Sequence, residues 1–385
     1  MTYKLNQPGC TFAGAGSLSH VADILSAESA KSVLIFADRA MISIGLIRLL
    51  TDELDKLPEV HYSIYSDMAT EPSYQDVEHV VSEAGNEGCD LIIGIGGGSV
   101  MDAAKLFSVL KGAPYTICDL LRDPKLARKL RKTLMIPTTC GTGAEATCNA
   151  IVAIPEADDK KGIVNACMIP DYVILDSRLV EKLPKSIVAS TGVDALAHVV
   201  ECYTSLKATP LSNTYAEAGA KLIFHNLREA YLEPENLAAR EALMLGAYYG
   251  GIAITGSGTT AVHALSYPLG GKYHIAHGTS NAILFAHVMA FNKPACEAQL
   301  ATLCDAVYPE LVAQSAADRA QKIIDEIEDI VRVTNIPTDL SQYHITGDDL
   351  DFLVKAGSEQ TRLLVNNRRT LSLDDIRGIY QKVIG

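Results

Sequence analysis

The chain has 385 residues, with 33 Lys and Arg against 46 Asp and Glu, so its formal net charge is −13. At roughly 100–200 residues per domain, this length suggests two or three domains. The acidic balance argues against a protein that binds a nucleic-acid backbone, because that function needs a basic face. Apolar residues make up 48% and charged residues 21% of the chain, which is typical of a globular protein with a sizeable core.

The sequence also bears on the compartment. No stretch approaches the roughly 18 uncharged apolar residues of a membrane span, and the start of the sequence lacks the apolar run of a signal peptide. The nine cysteines are odd in number and scattered, which favours reduced thiols over a disulfide framework. We therefore expect a cytoplasmic protein.

The first half of the chain alternates between strand-like and helix-like segments. Apolar runs predict strands at 32–38, 61–65, 90–96, 133–139, 150–154 and 172–176. Helical spacing predicts helices at 40–54 and 99–110, and a third helix that begins after Ser73. Strands that alternate with helices are typical of a parallel sheet with crossover helices, so we expect a Rossmann-like α/β domain over residues 1–184.

After Pro184 the pattern changes to helical stripes alone. Apolar residues at helical spacing predict helices near 191–204, 211–231, 236–254, 279–291, 294–306 and 315–333, followed by shorter ones. We therefore expect an all-helical second domain over residues 185–385.

A glycine-rich turn joins the strand at 90–96 to the helix at 99–110. Gly96, Gly97 and Gly98 would let the backbone approach an anion closely, and the helix N-terminus supplies free N–H groups and a positive dipole end. Ser99 and Asp102 form a Ser-x-x-Asp pattern that predicts an N-terminal cap. A tight turn without a ligand is the alternative interpretation.

Two further segments are candidates for nucleotide contacts. In the glycine turn 137–145, the hydroxyls of Thr138, Thr139 and Thr142 could bond a ribose or phosphate, or could cap the next helix. Asp38 ends the first predicted strand, where a carboxylate can bond both ribose hydroxyls and repel a 2′-phosphate. A solvated loop aspartate is the alternative for Asp38.

A possible metal site begins with Asp194 and His198, which lie four residues apart on one predicted helix. Such positions share a helix face, so the two side chains can bind one cation together. His263 and His277 bracket a segment in which we predict that Pro268 ends one helix and the chain turns, so that the two imidazoles face each other.

One carboxylate and three imidazoles suit Fe²⁺ or Zn²⁺. His274 and His287 are rival ligands, and surface histidines are the alternative for both.

Taken together, these motifs resemble the iron-containing alcohol dehydrogenases over nearly the whole chain. The resemblance rests on Gly96–Ser99 with Asp102 and Lys105, on the turn 137–145, and on the four possible metal ligands Asp194, His198, His263 and His277. It implies NAD(H) as cofactor, one divalent metal ion (Fe²⁺, or alternatively Zn²⁺), a homodimer or higher homo-oligomer, and a position for Lys161 near the nicotinamide ribose.

Within that family, three segments resemble the 4-hydroxybutyrate dehydrogenases: 138–143, 261–271 and 362–367. Tyr267 stands where many members have a histidine thought to relay a proton, and Asn366-Asn367-Arg368 stands where many have Asn-Pro-Arg. Both departures fit the subgroup.

The resemblance thus implies that the enzyme interconverts 4-hydroxybutyrate and succinate semialdehyde. Tyr267 and His277 would act in catalysis, and Arg362, Lys272 or His274 would bind the substrate's far anion. Three alternatives stay open: another short alcohol or aldehyde (uncharged, or a sulfonate or phosphonate), a dehydroquinate-synthase-like enzyme, and a nucleotide-binding protein without activity.

Overall fold

The computed structural model describes residues 2–69, 71–84, 88–157 and 159–384. The chain divides into two compact units, Asn6–Lys182 and a second that runs from Leu183 onward. The residues up to Leu5 group with the second unit, whereas the sequence placed them in the first. The division after Lys182 lies two residues before the predicted boundary at 184.

The first unit contains a six-stranded parallel sheet with the strand order β1-β8-β5-β4-β2-β3. Its strands are β1 (Cys10–Ala13), β2 (Ser32–Ala37), β3 (His61–Tyr65), β4 (Leu91–Gly96), β5 (Lys132–Pro137) and β8 (Tyr172–Leu175). The α-helices of this unit are α1 (Val21–Glu28), α2 (Arg39–Ser43), α3 (Arg48–Leu54), α4 (Tyr74–Glu83), α5 (Gly98–Leu110) and α6 (Ile117–Arg122). The predicted α/β architecture with a parallel sheet is confirmed.

The central strands are apolar because both faces of the sheet are covered. Successive side chains of a strand point to opposite faces. In β2, Val33 and Ile35 belong to one core cluster, and Leu34 and Phe36 belong to another. All six residues of β4 are buried. This buried centre of the sheet carries the loops that follow β4 and β5.

Three details of the α/β unit differ from the sequence interpretation. The run at 150–154 is not in the sheet: β6 (Asn149–Ile154) pairs antiparallel with β7 (Asp159–Val164) in a separate hairpin. The predicted helix 40–54 is two helices, because Gly45 has a φ of 73° between them. Strand β1 was not predicted, since it has only four residues and none of them is buried.

The second unit consists of helices α7 (Lys185–Thr204), α8 (Pro210–Leu232), α9 (Leu237–Ser257), α10 (Ala261–Tyr273), α11 (His277–Val307), α12 (Ala316–Val333), α13 (Leu350–Ser358), α14 (Thr361–Leu364) and α15 (Leu373–Gln381). The predicted helical character is confirmed. None of the helices within the described ranges is long and apolar enough to cross a membrane.

One helix end in this unit was predicted wrongly. Pro268 lies inside α10, and the chain leaves that helix only at His274, which has a φ of 55°, although a proline ordinarily ends or kinks a helix. The stripes at 279–291 and 294–306 were predicted as separate helices. They lie in α11, which consists of two helical segments joined at a kink, with a non-helical residue at Cys296 two positions after Pro294.

Candidate functional site

The glycine-rich turn leads from the carboxyl end of β4 into α5. Gly97 is the N-cap residue, and no side chain caps the helix. The predicted Ser99–Asp102 cap is therefore wrong. The Ser99 hydroxyl accepts a hydrogen bond from the Glu71 amide at 3.3 Å, and Asp102 accepts one from the Ile151 amide at 2.9 Å. Uncapped N–H groups at a helix start form a ready site for an anion.

Glycine is required in this turn for space rather than for its φ angle. A Cβ atom at Gly98 would lie 2.8 Å from the Thr142 side chain, and one at Gly96 would lie 2.7 Å from Val100. At Gly97 the nearest atoms, in Thr139, are 3.9 Å away. Thr139 and Thr142 of the turn 137–145 therefore lie directly beside Gly96–Gly98. We call these two adjacent loops the glycine cradle, and Gly97 is its open position.

Lys105 and Asp102 stabilise this cradle from inside the unit. Lys105 is fully buried, its Nζ lies 2.8 Å from Asp102, and it donates to the Ala144 carbonyl at 3.0 Å and to the Asn149 carbonyl. Burial raises the pKa of Asp102, and the Lys105 charge opposes that rise. The pair connects α5 to the segment after the turn 137–145.

The other predicted cofactor residues have different surroundings. Thr138 is buried, and its backbone amide donates to the Gly96 carbonyl at 3.0 Å. Asp38 is half-buried and caps α2 by accepting from the Met41 amide at 2.7 Å. Lys161 is exposed on β7. Glu145 lies at the end of the turn 137–145, and burial raises the pKa of its carboxyl group to about 7.

Three helices contribute the predicted metal ligands. Asp194 and His198 lie on α7, His263 lies on α10, and His277 is the first residue of α11. Ligand atoms of Asp194, His263 and His277 lie within 4.8 Å of one another. The Nε2 atom of His198 lies 2.9 Å from that of His263 and 3.9 Å from Oδ1 of Asp194. The structure thus brings all four predicted side chains together. Among the described residues, neither His274 nor His287 belongs to this metal cluster.

The spacing of these atoms fits one small cation. Four ligand atoms at about 2.1 Å from a tetrahedral cation lie about 3.4 Å apart. Oδ1 of Asp194 is 3.6 Å from Nε2 of His263 and 3.5 Å from Nε2 of His277. The donor set of one oxygen and three nitrogens suits Fe²⁺ or Zn²⁺ and contains no thiolate.

Burial and charge prepare the cluster for a cation. Asp194, His198 and His263 are buried, whereas 29% of the His277 side chain is exposed, so the cluster opens on the side of His277. Burial alone would raise the pKa of Asp194, but the imidazoles around it lower that pKa well below its usual range. Asp194 therefore stays ionised, as a metal ligand must.

Two more residues belong to the cluster. Glu201 of α7 is fully buried and accepts a hydrogen bond from Nδ1 of His263. Nδ2 of Asn281 donates to Oδ1 of Asp194 at 2.7 Å and lies 3.3 Å from Nε2 of His277. Sequence reasoning missed both. One available signal was spacing, because Glu201 follows His198 by three residues and Asn281 follows His277 by four. The other was the free-energy cost of burying a carboxylate in the largely apolar segment 193–203.

Gly278 allows α11 to approach α7 closely. A Cβ atom at this position would lie 2.1 Å from the Ser190 carbonyl oxygen and 3.4 Å from Cβ of Asp194. Only glycine permits this contact, which brings His277 within reach of Asp194.

The predicted catalytic and substrate residues lie at different distances from the cluster. The Tyr267 ring is 5.9 Å from the His277 ring, and Tyr267 packs against Ala264 and Leu363. Lys272 lies 4.0 Å from the centre of the Phe352 ring and 3.8 Å from Asp349, so it already has partners.

Arg362 and His274 are both exposed. The alternative role for Arg362 would be an ion pair with Glu359 or another surface acid, but among the described residues its side chain makes no ion pair or hydrogen bond. Arg362 directly precedes Leu363, the residue that packs against Tyr267.

Comparison with known families covers most of the chain. Residues 8–177 match the family described as iron-containing alcohol dehydrogenase. Residues 188–384 match the C-terminal region of the Fe-containing alcohol dehydrogenase family.

Individual relatives extend over the same length. The chain is 34% identical to long-chain-alcohol dehydrogenase 1 of Geobacillus thermodenitrificans, over 97% of this chain and 95% of the relative. It is 31% identical to sulfoacetaldehyde reductase of Bilophila wadsworthia, over 96% of this chain and 95% of the relative.

Solved structures share the fold along their whole length. A 1,3-propanediol oxidoreductase superimposes with a TM-score of 0.94 at 26% identity, covering 100% of both chains. Sulfoacetaldehyde reductase from Bifidobacterium kashiwanohense, solved in complex with NAD⁺, has a TM-score of 0.89 at 25% identity and covers 100% of this chain and 99% of its own.

Proposed function

This chain belongs to the iron-containing alcohol dehydrogenase family, and we propose that it interconverts succinate semialdehyde and 4-hydroxybutyrate with NAD(H). The reaction class follows from the family: the enzyme is an NAD-dependent iron-containing alcohol dehydrogenase. The observation that carries the chemistry is the convergence of Asp194, His263 and His277 on one point.

Each group of residues has a distinct task in this reaction. When bound, the cation supplies Lewis-acid polarisation of the carbonyl and NADH supplies the hydride. Asp194, His198, His263 and His277 hold the cation. The first-turn amides of α5 bind the cofactor's pyrophosphate, and the Asp38 carboxylate selects NAD(H) by repelling a 2′-phosphate.

Tyr267 is our candidate for orienting the substrate or passing a proton to its oxygen. Its ring lies beside His277, on the side where the cluster opens. The rest of the side chain packs against Ala264 and Leu363, which holds the ring beside the metal ligands.

The anionic end of the substrate is assigned to Arg362. This residue is exposed, and the next residue packs against Tyr267. A guanidinium can bond a carboxylate with two parallel hydrogen bonds. Two relatives are named for sulfoacetaldehyde, an aldehyde with an anion at its far end, which supports the same substrate class here.

An uncharged aldehyde is the second candidate, and one observation favours it. Ala264, Tyr267 and Leu363 form a small apolar cluster beside the metal ligands, with Leu364 packed against it. Such a surface suits an alkyl chain, and one relative is named for long-chain alcohols. The homodimer and the cytoplasmic location expected from the sequence stay predictions.

Paired kinetics would decide between these substrates. We expect Arg362→Ala to lower kcat/KM for succinate semialdehyde about tenfold or more, because a hydrogen bond to a charged group contributes roughly 1.5–3 kcal/mol. Butyraldehyde has the same carbon count without the anion, and its kcat/KM should barely change.

Arg369→Ala is the matched control, because that exposed arginine stacks over Phe291 and donates to its carbonyl oxygen. Equal losses on both substrates would show that Arg362 supports the fold or the cofactor. A wild-type enzyme that prefers butyraldehyde would exclude the anionic substrate and leave the uncharged one.

A further inference from the structure

We infer that Glu201 is a positioning residue that fixes His263 in the tautomer that a metal ion requires. Glu201 is fully buried in α7. Its Oε1 atom accepts hydrogen bonds from the Thr260 amide at 3.1 Å, the Thr260 hydroxyl at 2.6 Å and the Val262 amide at 2.8 Å. Its Oε2 atom faces Nδ1 of His263.

These four contacts determine where the imidazole proton resides. Three donors occupy Oε1, so the carboxylate cannot rotate without losing them. Oε2 then accepts the proton of His263 Nδ1, and a neutral imidazole that donates at Nδ1 has a lone pair at Nε2. Nε2 is the atom that faces Asp194 and His198, at 3.6 and 2.9 Å. Glu201 thus directs a lone pair, rather than an N–H group, into the metal site.

Hydrogen bonds, and no cationic side chain, compensate the burial of Glu201. Moving an ionised carboxylate out of water is costly unless it is paired or hydrogen-bonded. Within the described part of the chain, no lysine or arginine pairs with Glu201, and the His263 imidazole contributes the fourth hydrogen bond. The residues next to it along α7, Val200 and Cys202, are fully buried.

A purely structural role is the competing explanation, because Glu201 also caps α10. The N-cap residue Thr260 makes no side-chain cap of its own, and Glu201 accepts from the amides at this helix start. Glu201→Gln separates the two roles. The glutamine oxygen can still accept the three Oε1 bonds, but its NH₂ group then faces Nδ1. His263 must accept at Nδ1 and carry its proton at Nε2, where it blocks the metal.

The inference rests on the proposed metal set, and a titration with Co²⁺ alone tests both. The full-length protein is stripped of metal and titrated while the ligand-field absorption of Co²⁺ is recorded. We expect Glu201→Gln to weaken binding about 10–100-fold, as is typical when a partner of a metal-ligating histidine is changed. The melting temperature of the metal-free variant should stay close to that of the metal-free wild type, because the cap of α10 is retained.

Glu217→Gln is the matched control on the neighbouring helix α8, where Glu217 pairs with Lys221 at 2.9 Å. This variant should bind Co²⁺ like the wild type. If Glu201→Gln also binds within twofold of the wild type, the inference is overturned. If the wild type itself gives no tetrahedral or five-coordinate Co²⁺ spectrum, the proposed metal set fails instead, which is a separate result.

A second measurement observes the tautomer directly. In metal-free protein labelled with ¹⁵N-histidine, the nitrogen shifts report the tautomer of each neutral imidazole, and His263→Asn identifies the signal that belongs to His263. The spectra are recorded above pH 9, because burial lowers the pKa of His263 but the facing carboxylates of Glu201 and Asp194 raise it to about 9. We expect the proton at Nδ1 in the wild type and at Nε2 in Glu201→Gln. A wild-type His263 that carries its proton at Nε2 would contradict the inference directly.

Discussion

The metal cluster and the glycine cradle offer different parts of the polypeptide to their proposed ligands. The cluster is built from side chains that three helices bring together, Asp194, His198, His263 and His277, and each has a defined ligand atom. The cradle is built from backbone, and its polar side chains Asp102 and Lys105 face inward. Substitutions in the cluster should therefore act by removing ligand atoms. Substitutions in the cradle should act by blocking space for the ligand or by removing the buried contacts that support the loops.

The largest effect should come from removing a ligand of the cluster. We expect His263→Ala to lose bound metal and to lower kcat about a thousandfold, because Lewis-acid stabilisation contributes several kcal/mol and each 1.4 kcal/mol is tenfold in rate. Metal content by mass spectrometry and turnover would be measured on the same sample.

His79→Ala, on the exposed face of α4, is the control for replacing a histidine within a helix. Wild-type metal content and turnover in His263→Ala would remove His263 from the metal set. Unchanged NADH binding in the same variant would support the separation between cluster and cradle.

The sequence predicted the cluster better than its surroundings for a physical reason. The i, i+4 spacing of Asp194 and His198 follows from helix geometry alone, and metal ligands must be of a few residue types. Glu201 and Asn281 act through contacts with residues 62 and 87 positions away, and no local pattern reveals such partners. Gly278 depends on the packing of two helices, which the sequence does not display.

In the cradle the reverse holds: the strand, glycine turn and helix could be predicted, but the side-chain roles could not. Ser99 and Asp102 have the spacing of a capping box, yet each bonds a backbone amide elsewhere in the fold. The run 150–154, which supplies the Ile151 amide, was predicted as a strand of the parallel sheet, but it pairs antiparallel with β7, a strand that was not predicted. Tertiary partners thus displaced the local cap.

The next largest effect should be on the support of the cradle. Lys105→Met leaves the Asp102 carboxylate buried without its cation, and breaking a buried pair in this way costs about 3–5 kcal/mol. The free energy of unfolding, measured by urea titration, should fall by that amount.

Asp102→Asn combined with Lys105→Met removes both charges, so the double variant should recover much of the lost stability. A single variant within about 1 kcal/mol of the wild type would show that the pair does not support the two loops. Metal binding should not change in either variant.

A smaller and more selective effect is expected at the open position of the cradle. A Cβ atom at Gly97 meets no protein atom closer than 3.9 Å, so Gly97→Ala should lower the melting temperature only by the small cost of alanine at an N-cap. If the cofactor's pyrophosphate packs against Gly97, the dissociation constant for NADH should rise about tenfold, because the added methyl group displaces the phosphate from the helix N-terminus. Fluorescence titration with NADH would measure it.

Gly98→Ala provides the comparison, because its Cβ would lie 2.8 Å from the Thr142 side chain. That variant should lose thermal stability as well as NADH affinity. Equal NADH affinity in Gly97→Ala and the wild type would place the pyrophosphate away from this loop.

The smallest expected effect concerns the preference for NADH over NADPH, which we attribute to the charge of Asp38 and its repulsion of a 2′-phosphate. One carboxylate oxygen of Asp38 accepts a hydrogen bond from the Met41 amide at 2.7 Å, so Asp38→Gly would remove a helix cap together with the charge. Asp38→Asn retains the cap, because asparagine is as good an N-cap as aspartate. We therefore expect Asp38→Asn to raise kcat/KM for NADPH up to about tenfold, since a 2′-phosphate would no longer meet a carboxylate, while kcat/KM for NADH changes little. The ratio of the two values is the measurement, and Asp38→Gly should show the same narrowing with a lower melting temperature. A wild-type enzyme that uses NADPH as well as NADH would reduce Asp38 to a capping residue, and selectivity would then have to reside elsewhere in the unit.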